Sequence, residues 1–259
     1  MKVVRQNHCT AASSGLGWPS VLFFICALTC ISSTAIAGDF AVSPIRLDFD
    51  NTSKSGSLTI TNSAESELKV QISLYEWSED GDGADAYRAS DDLLYFPRLA
   101  TIAPNSQQVI RVGLRGTTVN TYEKSYRLFV EELPEKKPLT GTQLAIAIRF
   151  SVPLFVRPPK EDPRGEIDSL RMEKGQLHVV VRNTGNVHLM VSSIAATSGA
   201  LFNAEVNGWY LLPGAKREYQ LAVPAEICAK LKKLDVRVKT DRLQFEKSLD
   251  ITASMCSSK

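Results

Sequence analysis

The chain of 259 residues carries 30 basic and 28 acidic residues, which gives a formal net charge of only +2. Setting aside Lys2 and Arg5, which belong to the N-terminal segment, leaves 30 − 2 = 28 basic residues against 28 acidic ones. A balanced charge does not favour nucleic acid or an acidic membrane surface as a partner. Any binding must therefore come from a local site.

The first 37 residues have the three parts of a secretory signal. Lys2 and Arg5 supply positive charge, residues 21–31 form a short apolar run, and Ala-Ile-Ala at 35–37 is a small-residue cleavage site. The apolar run is shorter than the roughly 18 apolar residues that a spanning helix needs, and no later stretch approaches that length. We therefore expect an exported chain that is not embedded in a membrane and begins at Gly38 after cleavage.

Two of the five cysteines, Cys228 and Cys256, lie beyond the signal segment. Disulfides persist in export compartments, so an even pair predicts a bond between them. Closing a loop of this size stabilises a fold by roughly 3 kcal/mol on the chain-entropy estimate. A lipoprotein anchored at Cys30 is the weaker alternative, because the residue before it, Thr29, is not the usual small residue.

Short runs rich in Val, Ile, Leu, Phe and Thr alternate with Gly, Pro, Asn and Asp from residue 40 to residue 252. Turns that recur every 8 to 12 residues or so are typical of a β-sandwich. In the first half, the predicted strands cover residues 41–49, 55–61, 68–77, 93–96, 107–114, 125–132 and 143–156. Seven strands in about 120 residues is the number expected of an immunoglobulin-like sandwich.

A proline-rich stretch divides the chain. Residues 157–165 contain three prolines, several charges and a glycine, which favours a stiff connector. Beyond it, a second sandwich is predicted, with one short helix around residues 225–233 that Pro224 opens. Its strands are predicted at residues 167–172, 176–182, 189–197, 208–212, 216–223, 234–240 and 243–252. The predicted organisation is a signal segment at 1–37, a first domain at 38–157, a linker at 158–165 and a second domain at 166–259.

Several polar features are expected to be structural. His178 and His188 lie in or beside predicted strands without cysteine or carboxylate at metal-ligand spacing. The acidic run 80–85 lacks the later glutamate of a calcium loop, so a solvated hairpin loop is expected there. The sequence contains no motif that assembles a nucleophile, a base and an oxyanion site. We therefore predict no enzyme activity, no metal and no cofactor.

Residues 144–154 alternate large apolar residues with small or polar ones, which predicts a long strand with one apolar face. The apolar positions are Leu144, Ile146, Ile148, Phe150 and Val152. On patterning alone, this face points into the core of its own domain. The alternative is that part of the face is offered to a partner.

A series of motifs, taken in order, resembles the periplasmic pilus (fimbrial) assembly chaperones of the chaperone–usher pathway, the PapD-like family. The motifs extend over essentially the whole mature chain, and they are Ala41–Arg46, Tyr75–Trp77, Phe96-Pro97, Ile102–Val112, Tyr126–Leu128 leading to Glu132–Pro134, and Leu154–Pro158. The Phe-Pro and Ile-Ala-Pro-Asn motifs are more similar to the archaic (alternative) branch of the family. The order of several motifs is specific, although no single one of them would suffice.

The resemblance implies two immunoglobulin-like β-sandwich domains in an L or boomerang arrangement. It also implies a periplasmic chaperone that caps pilin subunits by lending them a β-strand and delivers them to an outer-membrane usher. Such a donor strand satisfies the backbone of an incomplete subunit while alternate side chains fill the groove of that subunit. By the family match, the side chains lent would be Leu144, Ile146, Ile148 and Phe150.

The resemblance further implies two basic residues that hold the terminal carboxylate of the subunit. Arg46 matches the first, and a guanidinium can bind a carboxylate through two hydrogen bonds. The second position falls on Pro153, so the chain departs from the family pattern, and Arg149 is the substitute that the sequence offers. The match also implies a salt bridge across the two domains, formed by Glu132, Arg157 and Asp241.

Other functions compete with this interpretation. A secreted adhesive or structural pilus subunit would also contain immunoglobulin-like domains, but it should carry a free N-terminal donor segment and lack its own last strand. A carbohydrate-binding module would need exposed aromatic side chains in one cleft, and Trp77 and Trp209 are the candidates. The long apolar edge strand also suggests that the free protein caps itself by forming a homodimer.

Overall fold

The computed structural model describes residues 40–81, 83–116, 120–133 and 147–256. Within these stretches the regular elements are almost all strands. None of the helices in the described stretches has the length and apolar composition that crossing a membrane requires.

The first sandwich consists of two packed sheets. Its strands are β1 (Phe40–Ser43), β2 (Leu47–Phe49), β3 (Ser55–Asn62), β4 (Leu68–Glu79), β5 (Asp85–Ala89), β6 (Leu93–Phe96), β7 (Leu99–Ile102), β8 (Gln107–Leu114), β9 (Lys124–Glu132) and β10 (Arg149–Val156). One sheet has the order β1-β3-β8-β6. The other has the order β2-β10-β9-β4-β5, and β7 also pairs with β4.

The first predicted strand, residues 41–49, is two strands that belong to different sheets. β1 pairs with β3 in the first sheet, whereas β2 pairs with β10 in the second. Pro44 lies between them and has no N–H to continue a ladder, so the chain crosses from one sheet to the other at this point. The sequence pattern did not predict this switch because both strands alternate with the same period.

The second sandwich also has two sheets. Its elements are β11 (Gly165–Glu173), β12 (Gln176–Asn183), β13 (Leu189–Ser198), β14 (Phe202–Asn207), β15 (Tyr210–Leu211), β16 (Lys216–Ala222), α1 (Ala225–Cys228), β17 (Lys233–Thr240) and β18 (Gln244–Asp250). One sheet has the order β11-β12-β16. The other has the order β14-β13-β17-β18, and β15 also pairs with β13.

The prediction of an all-β chain with two immunoglobulin-like sandwiches is confirmed. The predicted helix begins after Pro224 as expected, but it ends at Cys228. The prediction missed β5, β7 and β14. All five side chains of β5 are exposed, so that strand lacks the alternation of buried and exposed positions from which half-buried strands are recognised.

Each sandwich has its own apolar core, but the second core includes two residues of the first sandwich. Trp77 of β4 and Phe155 of β10 pack with residues of the second sandwich. Phe155 is fully buried, and its ring stacks on His188 with 3.7 Å between the ring centroids. The outer face of the β2-β10-β9-β4-β5 sheet is therefore the face that meets the second sandwich.

The predicted disulfide joins Cys228 of α1 to Cys256, with the two Cα atoms 5.6 Å apart. It fastens the segment after β18 to the body of the second sandwich. The connector between the sandwiches is held as well. Asp162 and Asn186 exchange hydrogen bonds, and the N–H groups of Thr184 and Gly185 donate to the carbonyl of Arg164.

Candidate functional site

The N-terminal part of β10 has a strand partner on one side only among the described residues. β9 pairs with β10 along its whole length, from Arg149 to Val156. On the other side, β2 runs parallel to β10 and pairs only with residues 154–156. Residues 149–153 therefore present an unpaired sheet edge, which is a template for a further strand.

The hydrogen-bond pattern identifies the backbone groups that face this edge. Glu132 N donates to Ile148 O, and Arg157 N donates to Phe49 O. Backbone groups alternate between the two sides of a strand, so even-numbered residues of β10 bond to β9 and odd-numbered residues face the β2 side. The N–H groups of Arg149 and Ser151 therefore point to the unpaired edge.

Burial rises along β10 towards its C-terminal end. Val152, Leu154 and Val156 are buried in the first core, whereas Ile148 and Phe150 pack against that core and remain half-buried. The Phe150 ring lies 5.0 Å from that of Phe40. Of the predicted donor side chains, only Ile148 and Phe150 can thus be located. Leu144 and Ile146 lie outside the described residues.

Arg127 lies on β9, the strand that pairs with β10, on the face that meets the second sandwich. It is opposite Pro153 in the β9–β10 pair and is only 3% exposed. Its guanidinium carbon lies 3.7 Å from the centre of the Trp77 ring, 5.5 Å from that of Tyr210 and 5.8 Å from that of Trp209. We call these three rings the aromatic cage.

No carboxylate forms an ion pair with Arg127 among the described residues. Its buried Nε atom has no hydrogen-bond partner there either. Burial lowers the pKa of the Arg127 guanidinium, because a charge that has lost water is destabilised. Cation–π contacts compensate only in part for such a loss. The cage therefore holds a cation that an incoming anion would stabilise.

Residues 39–161 match the family model described as pili and flagellar-assembly chaperone, PapD N-terminal domain. This part of the chain is thus similar to the N-terminal domain of the PapD-like pilus chaperones. The β10 edge and Arg127 both lie within the matched residues.

Named relatives agree with this assignment. The chaperone protein LpfB of Salmonella typhimurium is 27% identical over 134 residues, which are 51% of this chain and 55% of LpfB. The match thus spans about half the length of this curated relative.

Solved chaperone structures share the fold. A chain from the CsuC–CsuE chaperone–tip adhesion subunit pre-assembly complex of Acinetobacter baumannii archaic Csu pili superposes with a TM-score of 0.57 at 20% identity, over 81% of this chain and 97% of that one. The E. coli chaperone DraB superposes with a TM-score of 0.53 at 21% identity, over 81% and 98% of the two chains.

The Arg149 guanidinium, expected to form a two-point anchor with Arg46, lies against other residues. Its guanidinium lies 3.9 Å from the centre of the Phe129 ring, and its Nε atom is 3.6 Å from a carboxylate oxygen of Glu131. Arg149 is four strand residues from Pro153, or roughly 13 Å at 3.3 Å per residue. Arg46 immediately precedes β2, at the other end of the edge. In this structure Arg149 is thus held by Phe129 and Glu131 rather than placed beside Arg46.

Arg46 itself is partly neutralised. Its Nε atom donates to Asp48 Oδ2 over 2.9 Å. The second oxygen of Asp48 lies 3.1 Å from Arg157, which also pairs with Glu161. Burial opposes the charge of Arg157, but the hydrogen bond and charge of Asp48 raise the pKa of Arg157 above its usual value. Arg46 and Arg157 thus share one carboxylate.

The predicted salt bridge among Glu132, Arg157 and Asp241 is wrong. The antiparallel register places Glu132 opposite residue 148, at one end of the β9–β10 pair, whereas Arg157 follows the other end. Nine strand residues separate these ends, which is about 30 Å. Asp241 instead accepts a hydrogen bond from Met190 N.

Glu123, which immediately precedes β9, is the carboxylate that reaches the second sandwich at this end of the pair. One of its oxygens accepts from the backbone N–H of His188 over 3.0 Å and lies 2.7 Å from His188 Nδ1. Both side chains are fully buried. Its charge also contributes to the raised pKa of Arg157. His188, expected to be an ordinary strand histidine, is thus a buried contact between the sandwiches.

Proposed function

We propose that the protein is a periplasmic chaperone that caps a pilin subunit with strand β10 and delivers it to an outer-membrane usher. The unpaired edge of β10, which adjoins half-buried apolar side chains, is the observation that carries the proposal. In this proposal residues 1–37 are the cleaved export signal, and residues 158–165 link domains at 38–157 and 166–259.

The edge supplies what a subunit without its last strand requires. The N–H groups of Arg149 and Ser151 would bond to an added strand by β-augmentation. Ile148 and Phe150 would enter the groove of the subunit, and Leu144 and Ile146 would continue the same face. Full burial of an apolar side chain of this size contributes about 1.5 to 3 kcal/mol before the costs of association.

Arg127, rather than Arg149, is proposed as the principal anchor for a terminal carboxylate. It is a buried cation without an ion pair, and it lies opposite Pro153, where the unpaired edge ends. A charge-assisted bond to such a group contributes roughly 1.5 to 3 kcal/mol. The positive charge favours a strand that arrives with its C-terminus, and such a strand runs parallel to β10. Arg46 would assist from the start of β2.

The described residues favour this function over the alternatives. Both β1 and β10 pair within the first sandwich, whereas a pilus subunit is expected to lack its own last strand. A carbohydrate site would need exposed rings. Trp77 and Trp209 do lie near the same arginine, but Trp77 is 2% exposed and only Trp209, at 43%, offers a surface.

The decisive experiment removes one edge-facing backbone N–H group and controls for the accompanying loss of the serine side chain. The exported chain is tagged and co-expressed with the pilin genes found beside its own, as wild type, Ser151→Pro and Ser151→Ala. Proline deletes the N–H that faces the edge and leaves the bonds to β9 intact, whereas alanine changes only the side chain. We expect wild type and Ser151→Ala to retain a one-to-one subunit complex, and Ser151→Pro to lose most of it while staying folded.

Two outcomes would contradict the proposal. In the first, wild type retains no subunit, and this result would favour the alternative of an adhesive pilus subunit. In the second, Ser151→Pro binds as well as Ser151→Ala, which would make the edge irrelevant. Arg127→Gln, compared with Arg149→Gln, tests the anchor in the same assay, and only the first substitution is expected to reduce subunit retention.

A further inference from the structure

The hairpin of β4 and β5 reaches from the first sandwich to the second. Glu79 at the end of β4 accepts a hydrogen bond from Leu212 N over 2.6 Å, and its other oxygen accepts from Arg217 Nη2 over 2.5 Å. The same Arg217 nitrogen donates to the carbonyl of Gly83 over 2.7 Å. It also lies 3.6 Å from Asp85 Oδ1. We call Glu79, Gly83, Asp85 and Arg217 the clasp.

Within the clasp the Glu79 carboxylate and Gly83 are buried, whereas Asp80, Gly81, Ala84 and Asp85 of the predicted solvated loop are exposed. The Glu79 side chain is fully buried, and burial raises the pKa of its carboxyl group above the usual value, although the bonds from Leu212 and Arg217 oppose this. Removing one partner of a buried pair leaves the other charge uncompensated. The contact therefore depends on both Glu79 and Arg217.

Gly83 permits a close backbone approach at the same place. Its φ is +80°, and a Cβ atom there would lie only 2.5 Å from the carbonyl oxygen of Lys216 in β16. Any side chain would push the hairpin away from the second sandwich. Gly81, two residues earlier in the same turn, has open space around the corresponding position. The two glycines thus form a matched pair for an experiment.

A continuous chain of contacts joins the clasp to the aromatic cage. Asp85 accepts a hydrogen bond from Trp77 Nε1 over 3.0 Å. The Trp77 ring stacks beneath the Arg127 guanidinium and lies 5.6 Å from the ring of Tyr210 in the second sandwich. Two of the three cage rings, Tyr210 and Trp209, belong to the second sandwich. The cage is therefore complete only when the two sandwiches stay together.

We propose that the clasp positions the second sandwich so that the aromatic cage closes around Arg127. Glu79 and Arg217 are thus positioning residues: they act through the cage and do not touch the bound strand. The structural part of this inference stands alone. Its consequence for subunit binding rests on the proposed function.

The test uses fluorescence of the chain that begins at Gly38. That chain contains only two tryptophans, Trp77 and Trp209, so Trp209→Phe leaves Trp77 as the sole reporter. Gly83→Ala, Arg217→Ala and the matched control Gly81→Ala are compared in this background. We expect Gly83→Ala and Arg217→Ala to shift the emission to longer wavelength and to increase acrylamide quenching of Trp77. Gly81→Ala should match its parent.

Circular dichroism verifies that each variant is folded. Glu79→Gln is a milder variant, because its side chain retains an oxygen that can accept a hydrogen bond from Leu212 N. If acrylamide quenching of Trp77 were unchanged in folded Gly83→Ala and Arg217→Ala, the proposal that the clasp positions the second sandwich would be wrong. The co-expression assay is then run with Trp209 restored. If wild type binds the subunit and the open variants bind it equally well, the clasp does not position the anchor. If wild type fails to bind, the proposed function fails and the quenching result still stands.

Discussion

At its C-terminal end β10 is paired on both sides and buried on both faces, whereas its N-terminal end is paired on one side and half-buried. The covered end packs against both cores, with Leu154 in the first and Phe155 in the second. Large apolar residues alternate with small or polar ones from residue 148 to residue 153, whereas Leu154, Phe155 and Val156 are all large and apolar. The difference teaches that one strand can provide core at one end and an accessible surface at the other, and that the change coincides with the place where the neighbouring strand ends.

The largest expected effect comes from truncating the covered end. Phe155 is fully buried and stacks on His188, so Phe155→Ala should lower the free energy of unfolding by about 3–5 kcal/mol. At the open end, Phe150→Ala should lower it by only about 1 kcal/mol, since that ring is half-buried. Urea unfolding at neutral pH measures both. Equal losses would refute the contrast between the two ends.

A smaller effect is expected from the polar contact beside the covered end. Glu123→Ala leaves the buried N–H of His188 without its acceptor, which should lower the free energy of unfolding by about 1–3 kcal/mol. Glu123→Gln keeps an acceptor in place and should lower the free energy of unfolding by less. Urea unfolding of both variants measures the difference. If alanine were tolerated as well as glutamine, the contact would not hold the sandwiches together.

The smallest effect should appear in the pH dependence. Lys124 and Tyr126 of β9 donate hydrogen bonds to Asp92 in the loop before β6, and these bonds join the two elements. They also lower the pKa of Asp92. Because the folded pKa lies below the unfolded one, this stabilisation is present above about pH 4 and is lost as pH falls through the folded pKa. The urea midpoint of the wild type should therefore fall between pH 6 and pH 3, and this fall should be smaller in Asp92→Asn. If the urea midpoint of Asp92→Asn fell as much as that of the wild type, the stabilising role of these hydrogen bonds would be contradicted.

Strand positions in both sandwiches were largely predictable because they follow local alternation, and the Cys228–Cys256 pair was predicted because the sequence indicates an export signal and leaves an even pair of cysteines beyond it. The side-chain contacts between residues on different strands were less predictable. Glu132 was chosen for the salt bridge from a sequence motif, yet only the β9–β10 register shows that Glu123 is the residue at the correct end.

Arg127 was the functional candidate that the sequence analysis missed, although one signal existed. It is a charged residue between Tyr126 and Leu128, in a strand where every position from Ser125 to Val130 is buried. A buried cation in such a strand indicates a site. Its cage could not be read from the sequence, because Trp77 and Trp209 come from different sandwiches and meet only after folding.

The pairing of β2 with β10 has a consequence for the order of folding. Leu47 pairs with Leu154, so this contact closes a separation of 154 − 47 = 107 residues. Non-local pairings slow folding, because the chain loses loop entropy before the contact is gained. In a chain that emerges from its N-terminus, β2 therefore lacks its partner strand until residue 156 has followed. During that interval the unfinished sandwich exposes apolar surface and is prone to aggregation.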